Sequence, residues 1–460
     1  MDKLEKYVLL TSFITTFSAI FLLRTIALGA PSIGKTFLMN NVTQNWILTI
    51  GSIFISAFTI PAGQICSKFG CKKMFITGCL IFLIGLILSV TSISAEMFLF
   101  SRAVTSIGYA IFFVSEIAIV VLAIKKESQG KAFGIVYVAP YIASILAPSL
   151  GGYLINNLGW KSVFYISIPL MLICVVLIYL KVDKEWIYGE TDKLDLTGCC
   201  LYVLGIILFV YGFSDLHSLI GQISSVIGIT MLILFGIYES RIKLPVFKIK
   251  LFKNKVFALY NIVGFLEFFA IAVFDVLFSY YFQYAKGWDP QLTGLILIIP
   301  PVLLTIITPL SGRFSDKFHP QKLSTVGLVI FLIPLMGLMF LDVKTPVYLI
   351  AIALVLIALG TGIFSVPNTN AVMSSVGKEE SSYASATQIT LRSCGQTMSY
   401  GLLTLVCSFV MGNLPLSIEN AGLFVSSARI ISFICLILCI IAIAFAIWGI
   451  KYDAKVNQTQ

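Results

Sequence analysis

Histidine is almost missing from this chain, with two in 460 residues, and acidic side chains are few, 21 Asp and Glu against 31 Lys and Arg. His217 and His319 stand in polar connections between apolar runs, and neither has a Ser/His/Asp grouping or metal-ligand spacing around it. That scarcity argues against an enzyme, and no metal or cofactor is expected. No P-loop is read in the chain to drive it with ATP. Work against a gradient would then draw on an ion gradient, about 2.3 kcal/mol per charge per 100 mV. Polar stretches long enough to fold as a soluble domain are missing too.

What the chain has instead is apolar length. Hydrophobic residues make up 58% and charged ones 11%, and the mean hydropathy is +0.99, outside the range of soluble globular domains. Crossing about 30 Å of hydrocarbon takes roughly 20 mostly apolar residues at about 1.5 Å each. Such runs stand near residues 8–30, 46–66, 74–93, 97–123, 132–156, 160–181, 195–214, 218–239, 256–284, 291–312, 322–341, 346–372, 382–411 and 425–450. Fourteen spans make an all-α membrane protein, with lipid as its first partner.

Orientation follows from the connections. With the N-terminus inside, 23 of the 31 Lys and Arg fall in cytoplasmic connections, against Lys35, Lys161, Lys286 and Lys344 in outer ones and Arg429 near the last outer loop. Cytoplasmic loops are enriched in these residues, so both termini are placed in the cytoplasm and the protein in the cell membrane. The net charge of +10 is then loop charge facing anionic lipid, with no nucleic acid as partner. MDKLEK leads into a first span too long for a signal-peptide core, so that segment is expected to remain. The ten Cys lie in spans or at cytoplasmic edges without metal-type spacing, and read as reduced packing residues.

The polar breaks KVDKEWIYGETDKLD (181–195) and ESRIKLPVFKIKLFKNK (239–255) bracket spans 7 and 8. They divide the chain into a six-span bundle at 1–181, a cytoplasmic loop with two inserted spans at 182–250, and a second six-span bundle at 251–460. GQICSKFGCKK (63–73), after span 2, is echoed by GRFSDKFHPQK (312–322), after span 10. Internal repeats of this kind build alternating-access transporters.

Several motifs carry a resemblance. Gly63, Lys68, Gly70, Lys72 and Lys73 resemble the pattern G-x-x-x-D-[RK]-x-G-[RK]-[RK], with Ser67 at its Asp and Cys71 standing before the basic pair. Arg102, Thr105, Ser106 and Gly108 follow R-x-x-Q-G-x-G with two positions altered, and Gly134, Ala143, Ala147, Pro148, Gly151 and Gly152 follow G-x8-G-x3-G-P-x-x-G-G. YYFQYAKGWDPQLTGLILIIPP, GIFSVPNTNAVMSS and TLRSCG fit the second half. Over nearly its whole length the chain resembles a major facilitator superfamily transporter, within it the fourteen-span drug:proton antiporter group. The resemblance implies two six-helix bundles with a two-helix insert, spans 1, 4, 9 and 12 lining a central cavity, and a gating role for Gly63, Gly70, Gly134, Pro148, Gly151, Gly152, Gly312 and Asp316. Where members of the group carry an acid in span 1 shortly before A-L-P, LLRTIALGAPSI has Arg24 and no acid.

The stretch ASILAPSLGGY (143–153) puts a proline and small residues about one turn apart inside span 5. A proline removes one helical hydrogen bond, and small residues leave a smooth face that another helix can approach closely, as a sliding gate needs. On the cytoplasmic side Asp316, flanked by Arg313 and Lys317, can accept charge-assisted hydrogen bonds that Ser67 cannot.

Ionisable groups inside spans each cost roughly 2.5–3.5 kcal/mol on insertion scales, so each is a candidate with a partner to be found. They are Arg24 in span 1, Arg102 and Glu116 in span 4, Glu267 and Asp275 in span 9, and Arg392 in span 13, which matches an arginine of the family. Arg102 and Glu116 are about 21 Å apart along one helix and cannot pair. Glu267 and Asp275, about 12 Å and some 80° apart on an unbroken helix, can face one cavity. Span 12 adds Ser365, Asn368, Thr369 and Asn370 beside Pro367, and the many aromatics of span 9 can stack on a flat substrate or pack the core.

The expected function is export of a small amphipathic compound in exchange for protons, by a monomer. Exchange or import of an anionic metabolite, favoured by Arg24 and Arg102, and a membrane sensor without turnover are the alternatives.

Overall fold

The computed structural model describes residues 3–124, 129–187, 195–242, 249–315, 317–377 and 381–459. Among them there is no strand. The helices are α1 (Lys3–Thr36), α2 (Asn41–Phe69), α3 (Cys71–Thr91), α4 (Ala95–Ala123), α5 (Gln129–Leu158), α6 (Lys161–Lys181), α7 (Leu196–Ser214), α8 (Leu219–Glu239), α9 (Lys255–Ile271), α10 (Val273–Tyr280), α11 (Pro290–Leu297), α12 (Ile299–Ser315), α13 (Pro320–Leu338), α14 (Val347–Ser374), α15 (Ser381–Met411) and α16 (Ala421–Thr459). Fourteen helical spans are long and apolar enough to cross a membrane, as the sequence predicts. The ninth is built from α9, α10 and a π-helical turn at Tyr281–Ala285, the tenth from α11 and α12. Helix starts follow from their caps: Asn40 accepts from the amide of Thr43 at 2.8 Å, and Asp289 from that of Leu292 at 2.7 Å with Pro290 opening α11.

The chain forms two compact units, Met1–Ile207 with Trp288–Ile298 and Leu208–Gly287 with Ile299–Gln460. Each contains the same close crossing of two successive spans, the third and fourth of the chain in one unit and the eleventh and twelfth in the other. In the first, a Cβ added to Gly108 of α4 would lie 2.8 Å from the Gly78 carbonyl oxygen of α3; in the second, one on Gly360 of α14 would lie 2.9 Å from that of Gly327 in α13. Backbone contact of this kind is what drives helix association where lipid is as apolar as the side chains. It extends the internal repeat beyond the loop echo seen in sequence.

Residues 29–36, GAPSIGKT, do spell the nucleotide-loop pattern G-x-x-x-x-G-K-T, contrary to the expectation of none. They form the last turns of α1, however, with no strand before them. Amides used inside a helix cannot cradle phosphate.

At the other end of the first unit, Gly70 takes φ +105° between α2 and α3. The Glu185 carboxylate then reaches the start of α3, accepting from the amides of Lys72 (2.8 Å) and Lys73 (3.2 Å), while Cys71 donates to the Trp186 carbonyl at 2.9 Å. A side chain at Gly70 would collide with that carboxylate, 2.6 Å from its Cδ. An acid from the connection after α6 thus holds the loop whose own Asp is replaced by Ser67. Glu185→Ala leaves these amides of α3 without their acceptor. Limited trypsin digestion of the solubilised protein is expected to cut after Lys72 or Lys73 about ten- to a hundredfold faster than in the native chain, on the order of one lost charged hydrogen bond of about 1.5–3 kcal/mol; an unchanged rate would show that the clamp holds nothing.

Candidate functional site

Each unit encloses a polar group in its interior. In the second unit it is built on α9, α14 and α15. Gly264 lets α14 and α15 approach: a Cβ there would lie 2.9 Å from Nδ2 of Asn368 and 4.0 Å from Nε of Arg392. Three residues on, and so on the same helical face, stands Glu267, 2% exposed. Neither of its carboxylate oxygens finds a hydrogen-bond donor among the described residues. Glu267 and Arg392 interact electrostatically without a direct ion pair. Arg392 is held in place by other groups: its Nη2 donates to Thr369 Oγ1 at 3.0 Å and to the Ser365 carbonyl at 3.3 Å, and its guanidinium lies 5.2 Å over the Phe268 ring. Asn261, Asn368 and Gln388 complete the group, all buried and each with at least one amide atom unbonded. A dry, close-packed interior rarely keeps so many polar atoms without partners.

The first unit reverses the arrangement. Glu116 on α4 accepts from both neighbours on α1, Thr16 at 2.6 Å and Thr15 at 3.0 Å. Arg102, on the same helix, is 3% exposed, its Nε has no acceptor, and no carboxylate among the described residues lies within ion-pair distance of it. Its guanidinium borders a cavity lined by Ala19, Leu22, Leu23, Ile55, Phe82, Thr105, Ser106 and Tyr109. Gly51 on α2 makes room for it: a Cβ there would lie 3.1 Å from Nη2. In the first unit the acid is satisfied; in the second the acid is open and the arginine is held through Nη2, while the Nε of both arginines has no acceptor among the described residues.

Glu116 and Asn368 occupy corresponding places, each eight residues past the crossing glycine of its unit, 116 from 108 and 368 from 360. Asp275 does not join Glu267. Span 9 breaks at Ala272, where the freed amide of Val273 donates to Ser399 Oγ at 2.8 Å, and Asp275 beyond the break is exposed. An offset of some 80° around the helix leaves room for one of the pair to face the interior and the other the surface. Arg24 is likewise exposed on α1 rather than enclosed with Arg102. The aromatic run of span 9 packs inward, with Tyr280, Tyr281 and Phe282 fully buried, and only Phe268 meets a charge of the group.

Among the gating candidates, Pro148, Gly151 and Gly152 lie where α5 meets α1 and α11. A Cβ on Gly151 would lie 2.7 Å from Thr25 Oγ1, one on Gly152 2.6 Å from the Pro290 carbonyl oxygen, and one on Gly294 would strike the carbonyl of Pro148. Gly63 and Gly312 have ordinary clearance, 3.8 Å to Val114 and 3.4 Å to Val366. Gly134 lies in α5, and Asp316 falls outside the described residues. Thr15, Thr16, Asn261, Gln388 and Glu185 were not anticipated. Gln388 had a signal, four residues before Arg392 and therefore on its face; Glu185 had none, being one of several charges in a polar loop.

The sequence model of the Major Facilitator Superfamily matches residues 12–400. The riboflavin transporter RibZ of Clostridioides difficile (strain 630) is 27% identical over 365 residues, 79% of this chain and 79% of that protein. The multidrug resistance protein Stp of Mycobacterium tuberculosis (strain CDC 1551 / Oshkosh) is 23% identical over 85% of this chain and 74% of its own length. Among solved structures, the peptide transporter POT in complex with sulfate superposes with a TM-score of 0.71 at 15% identity, covering 98% of this chain and 95% of that one. A bacterial homolog of the human lysosomal transporter Spinster, inward-facing and unoccupied, gives 0.71 at 15% over 98% and 97%. At such identity the likeness is one of fold alone. With fourteen apolar spans, a family match over most of its length and transporters rather than enzymes among its relatives, the chain belongs to the Major Facilitator Superfamily and is a multi-pass membrane transporter of small molecules.

Proposed function

We propose that this transporter exports a small amphipathic compound in exchange for protons by alternating access, as a monomer in the cell membrane with both termini in the cytoplasm. Glu267 carries the reading. Its two oxygens are enclosed and unbonded, with Arg392 held nearby by groups of its own. Such a carboxyl can hold a proton or accept a hydrogen bond from a substrate, and occupancy by one excludes the other. Mutual exclusion at a single group is the simplest chemistry that makes exchange obligatory. Asn261, Asn368 and Gln388 offer further donors and acceptors to orient a polar heterocycle, and Phe268 a face to stack on. Multidrug resistance proteins among the relatives support export of such compounds.

The test uses purified protein in liposomes with an imposed pH gradient, recording lumenal pH as compounds are added. Riboflavin is the first probe, because a relative is a riboflavin transporter, followed by cationic and anionic aromatic compounds. Release of protons in step with substrate movement is expected. Substrate movement with no proton flux at any gradient would remove proton coupling from the reading.

A further inference from the structure

We infer that Thr369 is a positioning residue for the exchange: its hydroxyl holds the guanidinium of Arg392 on α14 and so keeps the arginine from closing an ion pair with Glu267. The inference rests on the reading of Glu267 as the proton site. The guanidinium lies against the turn of α9 that carries the acid. A Cβ on Gly264 would stand 4.0 Å from its Nε, its Cζ is 5.2 Å from the centre of the Phe268 ring, and Glu267 lies between those two positions with both oxygens unbonded. A carboxylate is the strongest partner a guanidinium can take, through charge-assisted and often paired hydrogen bonds, and Nε of Arg392 is still without an acceptor. The two nevertheless interact without a direct ion pair. What opposes the pair is on α14. Nη2 donates to Thr369 Oγ1 at 3.0 Å and, less closely, to the Ser365 carbonyl at 3.3 Å. Thr369 gives its own proton to that same carbonyl, at 3.0 Å, so toward the arginine its hydroxyl can only accept. Held there, the arginine leaves the carboxyl of Glu267 free to take up and release a proton; in direct contact it would favour the carboxylate and oppose protonation. Among the described residues, the other titratable group that interacts with Glu267 is Cys439 of α16, whose thiol donates to the Leu328 carbonyl at 3.4 Å. Asp275 of α10 is exposed beyond the helix break.

The test is an infrared titration of the full-length protein in detergent. Neither substrate nor gradient is present, so a failure of proton-coupled transport and a failure of this inference are read separately. The carbonyl band of the protonated Glu267 carboxyl is assigned by its loss in Glu267→Gln, and the pH at which it fades is compared across variants. In Thr369→Val the band is expected to fade about one to three pH units below the native protein, the range of a newly adjacent guanidinium. Thr369→Ser keeps the acceptor and is expected to lose the band where the native protein does. Removing the arginine separates this effect from a packing defect: Thr369→Val combined with Arg392→Gln is expected to match Arg392→Gln alone. Phe268→Leu takes away the ring under the guanidinium and leaves Thr369, so it shifts the band the same way by a smaller amount and decides the question if Thr369→Val does not fold. A band that fades at the native pH in Thr369→Val, or in Phe268→Leu where the valine variant does not fold, overturns the inference. So does a shift from Thr369→Val that persists in the Arg392→Gln background, or a native protein with no protonated band at any pH where it is folded, since Glu267 would then already be ionised against the arginine.

Discussion

Replacing Glu267 with glutamine is expected to abolish proton-driven transport, lowering it at least about a hundredfold, or some 2.7 kcal/mol, while leaving exchange of labelled substrate across a membrane without a pH gradient. Glutamine keeps the shape and one acceptor oxygen of the glutamate and so preserves the packing of α9 against α14 and α15. It cannot take up and release a proton. The contrast with Glu116→Gln sharpens the expectation. Both oxygens of Glu116 already accept from Thr15 and Thr16, and glutamine keeps only one acceptor, so that change costs about one hydrogen bond of stability, roughly 1–3 kcal/mol, rather than coupling. Two liposome measurements separate the outcomes: accumulation under an imposed gradient, and counterflow without one. Gradient-driven accumulation that persists in Glu267→Gln moves the proton site elsewhere, and Asp275, exposed beyond the helix break, becomes the group to examine. Loss of counterflow as well would mean that Glu267 binds substrate and that its role in coupling is undecided by this substitution.

The fourteen spans were legible because hydrocarbon imposes one requirement, about 20 apolar residues per crossing, and the chain meets it fourteen times with polar breaks between. The enclosed charges were legible for the same reason, since Arg102, Glu116, Glu267 and Arg392 stand out against apolar surroundings. Their partners were not. Whether a charge at a given helical position points inward depends on what packs against that face, and an offset of some 80° is enough to leave Glu267 enclosed and Asp275 exposed. The bonds from Thr15 and Thr16 to Glu116 join residues about a hundred positions apart, and hydroxyls within a span more often bond to the turn before them. The glycine crossings lay between these extremes. Gly108 was visible as part of a motif, but its counterpart Gly360, and with it the equivalence of Glu116 and Asn368, emerges only when both units are laid out by their backbone contacts.

The contact of α5 with α11 leads to the second large effect. Asn157 and Gln291 sit on these two helices, exposed, with Nδ2 and Oε1 3.4 Å apart. In the double variant Asn157→Cys with Gln291→Cys, oxidation is expected to join the helices and reduce transport at least about tenfold, and a reductant is expected to restore it; each single variant stays active throughout. The reason lies in how the two helices meet. Gly152 faces the Pro290 carbonyl and Gly294 faces that of Pro148, so at these two points backbone touches backbone. Such a contact is held by dispersion and by the long Asn157–Gln291 hydrogen bond at its edge, so its parting breaks no strong hydrogen bond. Surfaces of that kind part readily, which suits a gate that must open once in every cycle. Gly294→Leu supplies the complement: its side chain would occupy the place of the Pro148 carbonyl, so α11 must stand off α5 and the yield of the 157–291 crosslink falls. Undiminished transport in the oxidised double variant would mean that α5 and α11 move as one body throughout the cycle, and that the smooth face of ASILAPSLGGY serves packing instead of gating.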